Sequence, residues 1–276
     1  MRLFIFGLGY AARAIADAAG APLLATTRDG RDGTIRFDDA DAVRAGLAAA
    51  THVLASVPPE HDGAGGDPVL ARYGALLGRQ WLGYLSSTGV YGDTAGAWVD
   101  ESAPADRGRR AGRNRADAAW LALGARVFRL PGIYGPGRSP LDRVAAGEAR
   151  RTGVAGQVFS RVHVADLARG VVAGFDAPAA AYNLADDLPA PQDAVREHAA
   201  RLLGLPAPPI VPVAALSPAA RAFHAENRRV ANAKAKRVLG WHLLFPDYRA
   251  GLRALSATTS PTPASAAPAA ASGVQR

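Results

Sequence analysis

Residues 2-RLFIFGLGYAARAIADAA-19 decide the fold. The apolar run from Arg2 to Phe6 stops at Gly7-Leu8-Gly9 and passes directly into an Ala-rich stretch from Ala11 to Ala19, which reads as strand, tight turn and helix. In that setting Gly7-x-Gly9-x-x-Ala12 is a dinucleotide fingerprint with Ala in its third place. A side chain at Gly9 would keep a pyrophosphate from the backbone amides and the positive helix end. A small residue at Ala12 lets the helix pack close to the first strand. Tyr10 and Ala11 belong to the same cofactor-contacting turn.

Working outward, a second strand from Pro22 to Ala25 ends in Thr26-Thr27-Arg28, and a third spans Thr34 to Phe37. A helix from Asp39 to Ala50, capped by Asp38 or Asp39, precedes a fourth strand from His52 to Val57 that Pro58-Pro59 stops. A Gly-rich loop around Asp62 to Asp67 leads to a helix near Val69 to Arg79, then a strand from Trp81 to Leu85 ending in Ser86-Ser87-Thr88. After a long loop from Gly89 to Arg107 come a helix from about Arg109 to Leu123 and a strand from Ala125 to Leu130. Such alternation predicts an α/β fold, a Rossmann-like doubly wound parallel sheet.

Beyond Pro131 the pattern loosens. Helices are expected near Leu141 to Gly147, Ala165 to Phe175, Pro191 to Leu203, Ser217 to Ala225 and Asn232 to Leu239, with strands near Gln157 to Val164 and Ala181 to Leu184. The expected organisation is one dinucleotide-binding domain over 1–255, with a small substrate-binding cap built mainly from residues after 132. The stretch 256–276, rich in Ala, Pro, Ser and Thr, reads as a disordered tail.

The chain of 276 residues is 49% hydrophobic and 20% charged, which is globular composition. It contains no cysteine, so disulfides, thiolate nucleophiles and Cys-based metal sites are excluded. The six His residues do not pair at ligand spacing, and no metal is expected. The net charge of +8 is carried almost wholly by scattered Arg, which reads as biased composition and a solvated surface, so nucleic acid is set aside as a main partner. No apolar run approaches the roughly 20 residues of a membrane span, and the expected location is the cytoplasm.

About 20 residues after the first Gly, an NAD-binding chain usually offers a carboxylate to the ribose diol. Here Thr26-Thr27-Arg28 stands in its place. Hydroxyls and a guanidinium suit a 2'-phosphate, so Thr27 and Arg28, helped by Arg31, point to NADP, while Asp29 keeps NAD open. Asp38 is placed to meet the adenine edge, and Ser56 and Val57 border the cofactor at the end of the fourth strand.

Leu85-Ser86-Ser87-Thr88-Gly89-Val90-Tyr91-Gly92 resembles the active-site strand end of extended short-chain dehydrogenases/reductases, the NAD-dependent epimerase/dehydratase family. Arg129 to Gly137, Arg161 to Ala168, Tyr182 to Leu184, Asn227 to Trp241 and Tyr248 to Leu252 resemble later segments of that family, in order, so the likeness runs from 1 to about 255. The resemblance implies NAD(P) across the sheet, a small carbonyl, alcohol or sugar-like substrate under the cap, and a homodimer through two helices flanking the central strands. It also implies that Ser87, or Thr88 beside it, orients the substrate oxygen, and that Pro131 lies near the carboxamide. The family's Tyr-x-x-x-Lys is absent: matching Asp117 to the helix acid places Arg109 at the Tyr position and Arg113 at the Lys position. Arg113 retains the positive charge, whereas Arg109 is a poor proton donor.

Tyr91, Tyr134 and His163 remain as proton donors or substrate contacts, although Tyr134 reads equally as packing and a lone His is more often structural. The expected function is an NAD(P)-dependent oxidoreductase or epimerase. The alternative is a non-catalytic NADP(H)-binding sensor or scaffold.

Overall fold

The computed structural model describes residues 1–59 and 66–258. Along the chain these form β1 (Leu3–Phe6), α1 (Tyr10–Ala19), β2 (Leu23–Thr27), β3 (Ile35–Arg36), α2 (Ala40–Ala49), β4 (His52–Ala55), α3 (Pro68–Tyr73), β5 (Trp81–Ser87), β6 (Trp98–Val99), α4 (Ala111–Ala122) and β7 (Arg126–Leu130). There follow β8 (Gly132–Tyr134), α5 (Pro140–Ala145), β9 (Arg161–His163), α6 (Val164–Ala173), β10 (Ala181–Asn183), α7 (Gln192–Leu202), α8 (Pro218–His224), β11 (Arg229–Val230), α9 (Ala233–Leu239) and α10 (Tyr248–Thr258).

Seven strands make one parallel sheet in the order β10-β7-β5-β4-β1-β2-β3. The order doubles back at β1, so the crevice beyond the carboxyl ends of β1 and β4 is the switch point where such sheets take ligands. Strand β1 explains why both faces are covered. Leu3 and Ile5 enter a core shared with Ala12 and Ile15 of α1 and Leu167 and Val171 of α6. Phe4 and Phe6 face the opposite core, built with Val43 and Leu47 of α2, Val69 and Tyr73 of α3 and Trp120 of α4. Burial of each such Leu, Ile or Phe side chain contributes about 1.5–3 kcal/mol, and period-2 alternation sends successive ones to opposite faces.

Several boundaries depart from the sequence expectation. The third strand shrinks to Ile35–Arg36 behind a loop with Gly30 and Gly33 at positive φ. The helix expected over 69–79 ends at Tyr73 and tightens into a 3-10 turn at Gly74–Leu76, followed by Gly78 at φ +126°. The strand expected over 157–164 holds only Arg161–His163. The start of the expected tail is helical, since α10 runs through Thr258. The rest of that tail, and most of the Gly-rich loop at 62–67, lie outside the described residues.

The chain after 132 divides between two layers. Helix α6 packs on α1 and β10 extends the main sheet, whereas α5, α7 and α10 gather around Tyr134, Leu141, Val144, Val195, Tyr248 and Leu252 as a separate small core. The two-stranded pair β8–β9 links that cap to the end of β7.

Candidate active site

A cleft of about 700 Å³ opens at the carboxyl ends of β1, β2 and β4, lined by Gly7, Gly9, Thr27, Arg28, Ser56 and Val57 among others. Gly7 has φ +84°, and a Cβ there would lie 2.9 Å from Val57 Cγ2, so its conformation and its neighbour both require glycine. Gly9 is different: a Cβ would meet nothing within 4 Å. Protein packing does not demand a glycine there, while a ligand approaching the backbone would. Gly9 is also the N-cap of α1, with no side-chain cap, so the first N–H groups of that helix, those of Tyr10 and Ala11 included, are open to an anion. Ala12 is fully buried in the core.

The residues that follow β2 divide their work. Thr26 Oγ1 accepts from Gly7 N–H at 3.2 Å and so shapes the turn. The Thr27 hydroxyl is engaged by Asp29, Thr34 and Gly30 N–H, at 3.2, 2.7 and 3.0 Å, which makes it the organiser of the following loop. Arg28 is exposed on the cleft rim with no hydrogen bond or ion pair among the described residues. Asp38 pairs with Arg36 at 2.9 Å, which holds its carboxyl below the usual range, and Asp39 rather than Asp38 caps α2. Phe37, not Asp38, lines the cleft. Tyr10 donates to Pro136 O at 3.0 Å and ties α1 to the loop after β8.

Further along the sheet edge a second cleft of about 160 Å³ is lined by Ser87, Thr88, Pro131, Ser160, Glu226 and Arg228 among others. Ser87 Oγ accepts from Gly89 N–H at 3.0 Å, which leaves its own proton available to a ligand oxygen. Glu226, with 11% of its side chain exposed, pairs with Arg228 at 2.8 Å and with Arg109 at 3.2 Å. Arg109, matched in the sequence reading to the family's Tyr position, thus reaches the cleft through a carboxylate from far along the chain. Sequence reasoning missed Glu226, and no local motif marks it.

Arg113 donates to the Tyr84 hydroxyl at 2.7 Å and to Leu85 O at 3.2 Å, packing its charge against β5 below the cleft. Tyr91 does not line either cleft. Its hydroxyl donates to Asn183 at 2.8 Å and accepts from Arg129 at 3.0 Å, and burial raises its pKa, so it is held as a structural phenol. Arg129 in turn makes a two-point pair with Asp117, at 2.7 and 3.1 Å, and Ser86 donates to the same carboxylate at 2.6 Å. This buried network joins α4 to β5 one residue before Ser87.

His163 Nδ1 accepts from Ala165 N–H at 3.2 Å and caps α6, while burial lowers its pKa to about 4, so it is neutral. Tyr134 is buried in the cap with its hydroxyl unpartnered among the described residues, and burial raises its pKa. No helix among the described residues is long and apolar enough to cross a membrane.

The doubly wound sheet, the glycine turn at its switch point and the cap over its far edge define the fold of the NAD-dependent epimerase/dehydratase and extended short-chain dehydrogenase/reductase class. A human epimerase family protein determined with NADPH shares it with TM-score 0.74 and 18% identity, over 94% of this chain and 100% of that one. The chain belongs to the same family as a functionally unknown conserved protein from Silicibacter pomeroyi, 42% identical over 93% of this chain and 98% of that chain, with TM-score 0.81. A Streptomyces 3-diazoavenalumate denitrifying reductase is 33% identical over 142 residues, and the match spans 46% of that protein's length. No protein-family model matches the chain.

Proposed function

We propose that the chain is an NADP-preferring oxidoreductase that reduces a small carbonyl-type substrate beneath its cap. The observation that carries this reading is the open position at Gly9. A turn without a side chain, at an uncapped helix end, faces a cleft with an unpaired Arg28 on its rim. The main-chain N–H groups at the start of α1 would hold the pyrophosphate, and Arg28 with Arg31 would hold the 2'-phosphate. When bound, the cofactor supplies hydride. Ser87 donates a hydrogen bond to the substrate oxygen, which takes its proton from solvent, Pro131 shapes the wall, and Glu226, paired with Arg109 and Arg228, lines the same cleft. A fold neighbour determined with NADPH and a relative named as a reductase both support this reading.

The second reading, an NADP(H) sensor without turnover, is favoured by the absence of a phenol from the described residues that line the Ser87 cleft and by the engagement of Tyr91 elsewhere. Fluorescence titration with NADPH, followed by turnover assays with a panel of carbonyl compounds, separates the two. The expected result is binding with turnover, and at least tenfold weaker binding in Gly9→Val. Binding without turnover on any panel member supports the sensor. Equal NADPH affinity in Gly9→Val refutes the cofactor site.

A further inference from the structure

Next to the Ser87 cleft lies a larger cavity of about 330 Å³, bordered by β8, α5, α7 and α10 of the cap. Gly132, Phe159, Ser160 and Phe223 line both, so one wall is continuous between them. That wall is aromatic. Phe159 and Phe223 stack with ring centroids 4.4 Å apart and planes 11° apart, and His224 stands edge-on to Phe159 at 5.6 Å. The stack is held from both sides of the chain. Gln157, 6% exposed, accepts from His224 Nδ1 at 2.8 Å and donates from Nε2 to His224 O, and Val158 N–H donates to Asn227 Oδ1 at 3.0 Å. Helix α8 buries none of its own residues, yet these bonds fix its end so that Phe223, 42% exposed, faces both cavities. A single exposed apolar side chain is ordinary, whereas a pinned aromatic pair in the wall of two adjoining cavities is a surface for a ligand ring to cover.

The rest of the larger cavity suits the same occupant. Ile133, Val195 and Leu252 give it apolar lining. Arg138 and Arg143, from the loop before α5 and from α5 itself, are exposed and line it as well. Arg138 already lies over the Tyr10 ring at 5.7 Å, and Arg143 has no hydrogen bond or ion pair among the described residues, so it is free to turn onto a ring. A guanidinium favours the face of an aromatic ring over a saturated ring of the same size. The charge and the wall therefore select the same partner. At about 330 Å³ the cavity sits at the lower end of the roughly 300–1,000 Å³ range of ligand pockets, which fits one substituted ring.

We propose that the Phe159–Phe223 wall is the subsite for the ring of an aryl ketone or aldehyde, whose carbonyl reaches Ser87 along the wall the two cavities share. The carbonyl carbon receives the hydride of the bound NADPH and its oxygen takes a proton from solvent, giving the aryl alcohol and NADP+. The ring stays on Phe223 throughout, so the wall sets which carbonyl compound is presented and takes no part in the bond changes. The inference rests on the oxidoreductase reading for the fate of the carbonyl, whereas binding of the ring is tested independently of it.

Isothermal titration calorimetry of the full chain tests it, first with NADP+ and then, with NADP+ kept in excess so that no turnover occurs, with 4-phenylbutan-2-one, 4-cyclohexylbutan-2-one and UDP-glucose. The two ketones differ only in the ring, and the saturated one offers at least as much apolar area, so hydrophobic burial alone gives the phenyl compound no advantage. The expected result is that the phenyl ketone binds about three- to tenfold more tightly than the cyclohexyl ketone and more tightly than UDP-glucose. Phe223→Leu should abolish that preference while leaving the cyclohexyl ketone within about twofold, and Phe223→Tyr should keep it; the exposed position of Phe223 makes misfolding an unlikely source of the change. Phe159→Leu is the second variant, with a similar loss of preference expected. Equal or tighter binding of the cyclohexyl ketone, tighter binding of UDP-glucose, or an undiminished phenyl preference in both Leu variants overturns the proposal. NADP+ binding without binding of either ketone refutes this subsite alone, ketone binding with the phenyl preference but without NADP+ binding refutes the oxidoreductase reading alone, and failure of both refutes both.

Discussion

Replacing Asp117 by Ala is expected to destabilise the protein severely. The carboxylate has 1% side-chain exposure and its partner Arg129 has 4%. Its two oxygens accept three hydrogen bonds, two from Arg129 and one from Ser86. Burial opposes the charge on Arg129, yet the bonds and charge of Asp117 outweigh it and raise the Arg129 pKa, so the guanidinium stays charged inside the fold. Removing the acid leaves that cation buried with the hydroxyl and ring of Tyr91 as its side-chain partners among the described residues, and breaking a buried pair in this way costs about 3–5 kcal/mol. At roughly 2–4 °C per kcal/mol for a domain of this size, the melting temperature should fall by roughly 6–20 °C. Urea denaturation and calorimetry measure both quantities. Asp117→Leu combined with Arg129→Met should recover most of the loss, because an apolar pair removes the stranded charge. A loss under 1 kcal/mol in the single variant, or a double variant no more stable than the single, refutes this account of the network.

Two further outcomes are expected. Arg28→Ala should weaken NADPH about tenfold while leaving NADH unchanged, as the loss of a charge-assisted contact to the 2'-phosphate requires; equal effects on the two cofactors, read by fluorescence titration, contradict the clamp. Asp186→Asn tests the buried acid. Its folded pKa is raised to about 8 from an unfolded value near 3.8, so the native state keeps a proton the unfolded chain has lost. The stability this contributes is present below about pH 4 and is lost as pH rises toward 8. Denaturation between pH 5 and 7 should therefore show Asp186→Asn gaining on the parent protein by up to about 1.4 kcal/mol per pH unit, and parallel pH profiles argue against a protonated Asp186.

The strand–turn–helix of residues 2–19 was legible because its signals are local. Strand β1 is apolar at every position, the glycines allow the turn, and Ala12 is small where the helix meets the sheet. The alternation of strands and helices and the place of Ser87 at a strand end follow from periodicity and turn chemistry in the same way. Which side chains remain free for chemistry depends instead on partners far away in the chain. Thr27 was expected at the 2'-phosphate, and its hydroxyl is engaged by its own loop. Tyr91 was expected as a proton donor, and Asn183, 92 residues away, engages it. Glu226 becomes part of the Ser87 cleft because its neighbours His224 and Asn227 bond to Gln157 and Val158, and Arg109 and Arg228 pair with it there. Phe159 and Phe223 share a cavity wall because the same bonds hold the end of α8 against the segment before β9. Short-range propensity and packing period determine where strands and helices form, whereas hydrogen-bond satisfaction is settled by long-range packing, and so only the tertiary structure decides which polar atoms are left for a ligand.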